Sequence, residues 1–216
     1  MTTISPYEAS RTLPTWRYVS GSLEVALTAS DFAQAFEFLG RIADLAENQQ
    51  HHPDIDIRYN RVWLRVTSHD SDGLTDRDIT FARAADEIIE EFGLERNLAS
   101  ITRLQLAIDA LDIPAVKPFW LALLGYGEES AEDIVDPSDV LPPFWFQQMD
   151  KARPERNTLH VDVYVPADRA EARMQAALDA GGTLVNEDHA PSFWVLADPE
   201  GNEACVCTWQ PPAAAE

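Results

Sequence analysis

The alternation of apolar and polar residues becomes legible at Trp16. Residues 16–28, WRYVSGSLEVALT, contain two strand-like runs around Ser20-Gly21-Ser22, which predicts a hairpin. After Ser30 the apolar positions Phe32, Phe36, Leu39, Ile42, Ala43 and Ala46 recur at helical spacing and predict an amphipathic helix buried along that stripe. The pattern fades between Glu47 and Gln50, and Pro53 forbids continuation. Ile55, Ile57 and Tyr59 alternate with Asp56 and Arg58, as a half-buried strand would. Asn60-Arg61 is the expected turn, and Val62, Leu64 and Val66 mark the returning strand. A loop, SHDSDGL, leads to Thr75 and Asp78, spaced as a capping box. Ile79, Ala82, Ala85, Ile89 and Phe92 form the apolar stripe of a second helix, and Gly93 suits its stop.

From Arg103 the pattern restarts. Leu104, Leu106 and Ile108 alternate as a strand, and a helix is expected from Ile113 to Leu124, ending at Gly125. A strand over 144–149 follows an acidic, proline-containing stretch. The order then recurs as a strand at 158–165, a helix at 167–180 and strands near 183–186, 193–196 and 203–208. Asp198-Pro199-Glu200-Gly201-Asn202 reads as a hairpin turn. Two successive strand-helix-strand-strand-strand modules are the repeat signal. The fold class expected is α+β in two domains. Residues 1–96 form a sandwich of antiparallel sheet with helices on one face, and residues 103–210 form paired βαβββ modules. Leu94 to Thr102 is the expected linker.

Bulk composition narrows the function classes. The chain has 216 residues, 45% of them hydrophobic, without an apolar run long enough for a membrane span. Its first ten residues lack the basic and apolar regions of a secretory signal, so a cytoplasmic location is expected. The net charge of −21 repels phosphate backbones and anionic lipid, which disfavours nucleic-acid and membrane partners. The two cysteines, Cys205 and Cys207, are expected to point to opposite faces of a strand and not to bridge, in keeping with a reducing compartment.

The densest chemistry is Glu47-Asn48-Gln49-Gln50-His51-His52-Pro53, with His69 and Asp78 beyond it. Three of the five histidines fall in this stretch. Imidazole is the one side chain that ordinarily titrates near neutrality, so histidines gathered where a helix end meets a strand end suit proton transfer. Other readings fit the same residues. The paired histidines can cap helix carbonyls, and three histidines can bind zinc. Asp78 can be a helix-cap partner alone, and Glu47 a solvated helix residue.

The string Glu47-x-x-x-His51-His52-Pro53, Tyr59-Asn60-x-Val62, Thr67-x-His69 and Gly73-Leu74-Thr75-x-x-Asp78 resembles the signature of pterin-4a-carbinolamine dehydratases, over about residues 10–92. The resemblance implies an enzyme that dehydrates 4a-hydroxytetrahydropterin to quinonoid dihydropterin without metal or organic cofactor, assembled as a homo-oligomer. It implies that His51, His52 and His69 line the pterin site. His51 and His69 are the expected proton-transfer pair and His52 the orienting residue. Glu47 and Asp78 would orient imidazoles or shape the loop. The acidic run Asp70-Ser71-Asp72 is expected to favour a protonated His69.

Residues 103–209 are similar to glyoxalase-like domains of the vicinal-oxygen-chelate superfamily. The resemblance rests on Phe119-Trp120, Leu124-Gly125, Phe146-Gln147, Leu159-His160-Val161-Asp162 and Asp198-Pro199-Glu200-Gly201-Asn202-Glu203. It implies an eight-stranded, cup-shaped sheet and, at the family's metal-ligand positions, Gln105, Gln147, His160 and Glu203. Two of these are amides, weak neutral ligands. A divalent metal, a metal-free small-molecule pocket and an oligomerising role all stay open. The alternative for the whole chain is a binding protein, or a metal-dependent lyase or dioxygenase, working through the second domain with the first as an oligomerisation scaffold.

Overall fold

The computed structural model describes residues 3–71, 73–152, 161–165, 167–208 and 210–211. They fall into two compact units that divide at Arg103 and Leu104.

The first unit is an antiparallel sheet of order β1-β2-β4-β3, with helices on one face. The strands are β1 (Arg17–Val19), β2 (Ser22–Thr28), β3 (Asp54–Arg58), β4 (Arg61–Val66) and β5 (Glu95–Arg96), which pairs with β2. Leu23, Val25 and Leu27 of β2 lie opposite Val66, Leu64 and Val62 of β4, and these six make the sheet side of the core. Three helices complete the unit: α1 (Pro6–Thr12), α2 (Phe32–Gln49) and α3 (Asp76–Phe92). α1, which the sequence pattern did not reveal, is capped by Ser5 and delivers Ala9 to the core.

The buried face of α2 differs from the expected stripe. Ala35, Phe38, Ile42 and Ala46 face the core, whereas Phe32 and Phe36 are 49% and 53% exposed, with rings 4.7 Å apart. The helix is apolar on two sides, and the side that is buried carries Phe38, whose ring meets Phe92 of α3 with centres 5.8 Å apart. β3 is more exposed than expected too, since Ile55 and Tyr59 stand in the open at the sheet edge. The turn falls at Tyr59-Asn60, with Tyr59 in the left-handed region, and Asn60 bonds Ala29. Residues 94–102, expected as a linker, are tied to β2 through β5 and through Asn97 N–H to Ala26 C=O.

In the second unit the modules repeat one topology. The first comprises β6 (Leu106–Ala110), α4 (Ile113–Leu124), β7 (Gly127–Glu128), β8 (Asp133–Val135) and β9 (Phe144–Gln148). The second comprises β10 (Val161–Tyr164), α5 (Ala170–Asp179), β11 (Thr183–Asn186), β12 (Phe193–Ala197) and β13 (Glu203–Cys207). In each the first and last strands pair in parallel, giving the orders β6-β9-β8-β7 and β10-β13-β12-β11. Among the described residues these are two four-stranded sheets and not one of eight. Leu104 precedes β6 and is exposed. Val161, Val163, Leu196, Ala204 and Val206 pack with Phe119, Trp120 and Leu123 of α4, so the opposite strand faces are turned away from the helices.

The Asp198–Asn202 turn fastens the modules together. Asp198, buried, accepts hydrogen bonds from Trp120 Nε1 (3.0 Å) and Asn202 Nδ2 (2.7 Å). Glu200 accepts from the backbone N–H groups of Leu111 and Asp112 at 2.8 and 2.7 Å, just ahead of α4. Gly182 admits a close contact, since a Cβ there would lie 2.5 Å from the Phe119 ring.

Candidate functional site

The site starts from the way α2 ends. Gln50 takes the left-handed conformation (φ 50°, ψ 42°), and His51 N–H returns to Ala46 C=O at 3.1 Å. This is a Schellman-type reversal with glutamine where glycine is usual. It turns the chain sharply and drives His51 inward, to 6% exposure. The imidazole lies edge-on to Phe81 of α3, with ring centres 6.1 Å apart.

The partner of His51 comes from the start of α3. His51 Nε2 is 2.8 Å from Asp78 Oδ1, and Asp78 is fully buried. The other carboxylate oxygen, Oδ2, accepts the Thr75 backbone N–H at 2.6 Å and the Ser68 hydroxyl at 2.7 Å. Thr75 is the helix cap, so Asp78 completes the capping box and holds the imidazole at once. The two readings of Asp78 coexist because a carboxylate has two oxygens. Acceptor-only chemistry on Asp78 selects the His51 tautomer with hydrogen on Nε2 and leaves Nδ1 as the ring's acceptor.

The other two histidines occupy different surroundings. His52 is exposed and pairs with Glu47 Oε1 at 3.2 Å. His69 is exposed in the turn after β4, directly following Ser68. The contacts thus bring His51, Ser68, Thr75 and Asp78 together, and His52 with Glu47. Asp70, expected to act electrostatically on His69, pairs with Arg77, whose guanidinium holds the Asp70 carboxyl below its usual range. Asp72 lies outside the described residues.

Ser68 was not foreseen. Its signal is parity: Val62, Leu64 and Val66 point inward, and Ser68 is the next inward position. A polar residue there requires a buried partner.

In the second unit, Gln105 and Gln147 are exposed and Glu203 is half-buried. His160 lies outside the described residues. Among the described residues no three His, Cys, Asp or Glu side chains are grouped to hold a metal ion. Two of the four positions hold neutral amides, which are weak ligands for a divalent ion. Cys205 and Cys207 correct an expectation. They are two positions apart on β13 and share a face, because side chains alternate with period two. Both are buried, and Asp162 lies across the ladder from Cys205. Burial first, then the hydrogen bond and charge of Asp162, pushes the Cys205 thiol up to about 12; burial and then Asp162 also raise Cys207. These thiols resist forming the thiolate that a metal or an electrophile would need.

Comparison with known proteins follows the same division. Residues 2–88 match the family described as pterin 4 alpha carbinolamine dehydratase, and residues 105–207 match the glyoxalase-like domain family. A protein of Acidobacterium capsulatum, named among the pterin-4-alpha-carbinolamine dehydratases, is 42% identical over 82 residues, which is 38% of this chain and 89% of that protein. The solved structure of a transcriptional coactivator/pterin dehydratase from Brucella melitensis is 29% identical, covering 40% of this chain and 98% of its own, with a TM-score of 0.38. A glyoxalase/bleomycin resistance protein from Albidiferax ferrireducens is 19% identical, covering 49% of this chain and 97% of its own, with a TM-score of 0.39. Through its first unit, therefore, the chain belongs to the pterin-4-alpha-carbinolamine dehydratase family, and behind that unit it carries a glyoxalase-like domain.

Proposed function

We propose that the first unit dehydrates 4a-hydroxytetrahydropterin to quinonoid dihydropterin by imidazole acid/base catalysis. The observation that carries this reading is the buried His51–Asp78 pair at the junction of α2 and α3. Hydroxide is a poor leaving group, so breaking the C4a–O bond needs a proton delivered to that oxygen. The electron pair that expels it comes from a ring nitrogen, which gives up its own proton. His51, with Nε2–H held by Asp78, takes the nitrogen proton on Nδ1. His69, exposed on the neighbouring turn, supplies the proton to the departing hydroxyl, and water leaves. His52, steadied by Glu47, orients the ring. Neither proton transfer requires a metal or an organic cofactor.

The test is a spectrophotometric assay of 4a-hydroxytetrahydropterin decay against the uncatalysed background. Wild type is expected to accelerate decay, and His51→Ala and His69→Ala each to lose about 10²-fold or more in kcat. A wild-type rate equal to buffer, or a folded His69→Ala at full rate, would overturn the reading.

The exposed Phe32–Phe36 pair and the open β3 edge support assembly into a homo-oligomer. The glyoxalase-like unit is assigned an accessory part.

A further inference from the structure

We infer that Ser68 is a positioning residue for proton transfer, acting on His51 through Asp78. This deepens the dehydratase reading and rests on it for its kinetic consequence, though its geometric content stands apart.

The hydrogen-bond directions follow from counting protons. Ser68 has one hydroxyl proton, and it goes to Asp78 Oδ2 at 2.7 Å. Ser68 Oγ also lies 2.8 Å from Thr75 Oγ1. With the Ser68 proton committed, the Thr75 hydroxyl proton goes to Ser68 Oγ at 2.8 Å in preference to Asp78 Oδ2, which it reaches only at 3.3 Å. Thr75 Oγ1 in turn accepts the Arg77 backbone N–H at 3.3 Å. A one-way relay results, from the first turn of α3 through Thr75 and Ser68 to Asp78, whose far oxygen receives His51 Nε2–H at 2.8 Å. Ser68, Thr75 and Asp78 are all at most 2% exposed, so water does not stand in for a missing donor.

The relay has a chemical purpose beyond holding the fold. Asp78 could complete the capping box with the Thr75 backbone N–H alone. The Ser68 hydroxyl adds a donor to that same oxygen and restrains rotation of the carboxylate, keeping Oδ1 aimed at the imidazole. A carboxylate free to turn would let His51 exchange its two neutral tautomers, and Nδ1 would carry the proton it must accept for part of the time. Ser68 also directly precedes His69, so the residue that fixes the His51–Asp78 pair also anchors the backbone of the proposed acid.

The experiment pairs imidazole 15N NMR with kinetics on the full chain, using Ser68→Ala, Ser68→Cys and Ser68→Thr. In wild type the His51 nitrogens are expected to show one fixed tautomer, protonated on Nε2. Ser68→Ala should move both 15N shifts toward the averaged position and lower kcat about tenfold with KM within twofold, the size expected for losing one bond to a charged acceptor. Ser68→Thr should restore both readouts. Ser68→Cys, close in size but a weak donor, decides the matter if alanine does not fold, and should resemble alanine. Unchanged His51 shifts in folded Ser68→Ala or Ser68→Cys would overturn the inference, as would an unchanged kcat in an active enzyme. Wild type without dehydratase activity but with Ser68-dependent tautomers would refute the dehydratase reading and leave the relay standing.

Discussion

Single side chains do more here than their types announce. Asp78 accepts from His51, Ser68 and Thr75 while fully buried, so replacing it strands several donors. Asp78→Ala is expected to cost about 3 kcal/mol in chemical denaturation, since each stranded buried partner costs on the order of 1–3 kcal/mol. Gln50 shows the opposite case. It holds a left-handed conformation that glycine adopts freely, so Gln50→Gly should stabilise the fold by about 1 kcal/mol or leave it unchanged, with His51 still buried. The cysteines set a pH dependence. Cys205 titrates near 12 folded against an ordinary 9.0, so the folded state holds its proton more tightly than the unfolded chain. That contribution is intact below about pH 9 and drains away as pH climbs from about 9 towards 12. Iodoacetamide at pH 8 should therefore modify both thiols far more slowly in native protein than in urea. Equal rates would contradict the burial.

At the scale of elements, α2 separates what the sequence discloses from what it conceals. Its span, its end before Pro53 and the capping box of α3 follow from local chemistry and were legible. Which side of α2 meets the sheet was not, because Phe32, Phe36, Phe38 and Ile42 satisfy two helical stripes, and only the sheet decides between them. Phe38→Ala should cost about 3–5 kcal/mol, the usual price of emptying a core aromatic site, while Phe36→Ala should leave the melting of an isolated chain nearly unchanged. Thermal melts at low protein concentration separate the two. The site was legible in the same uneven way. The histidines and Asp78 are marked by residue type and spacing, whereas Ser68 is marked only by the parity of β4. The shared face of Cys205 and Cys207 is likewise a matter of strand parity. In the second unit, Gly182→Ala should lower stability by about 1–3 kcal/mol, because the new methyl meets Phe119 and the Ala177 carbonyl at under 3 Å.

For the whole molecule, the two hydrophobic clusters share no residue: one draws on positions up to Leu98 and the other begins at Leu106. Calorimetry should resolve two transitions. Trp16→Ala should lower the transition of the first unit and Trp120→Ala that of the second, each leaving the other in place. A single transition shifted as one by both variants would show that the units melt cooperatively. No helix is long and apolar enough to cross a membrane among the described residues. The net charge of −21 gives the surface a repulsive field that opposes non-specific association with other acidic macromolecules.

The Asp198–Asn202 turn has a consequence for synthesis. Leu111 and Asp112 find their carboxylate in Glu200, almost ninety positions downstream, and the Trp120 indole finds its acceptor in Asp198. A nascent chain leaving the ribosome therefore presents the first βαβββ module well before the turn that fastens it has been translated. Chains halted between the modules should be captured by chaperones or proteases.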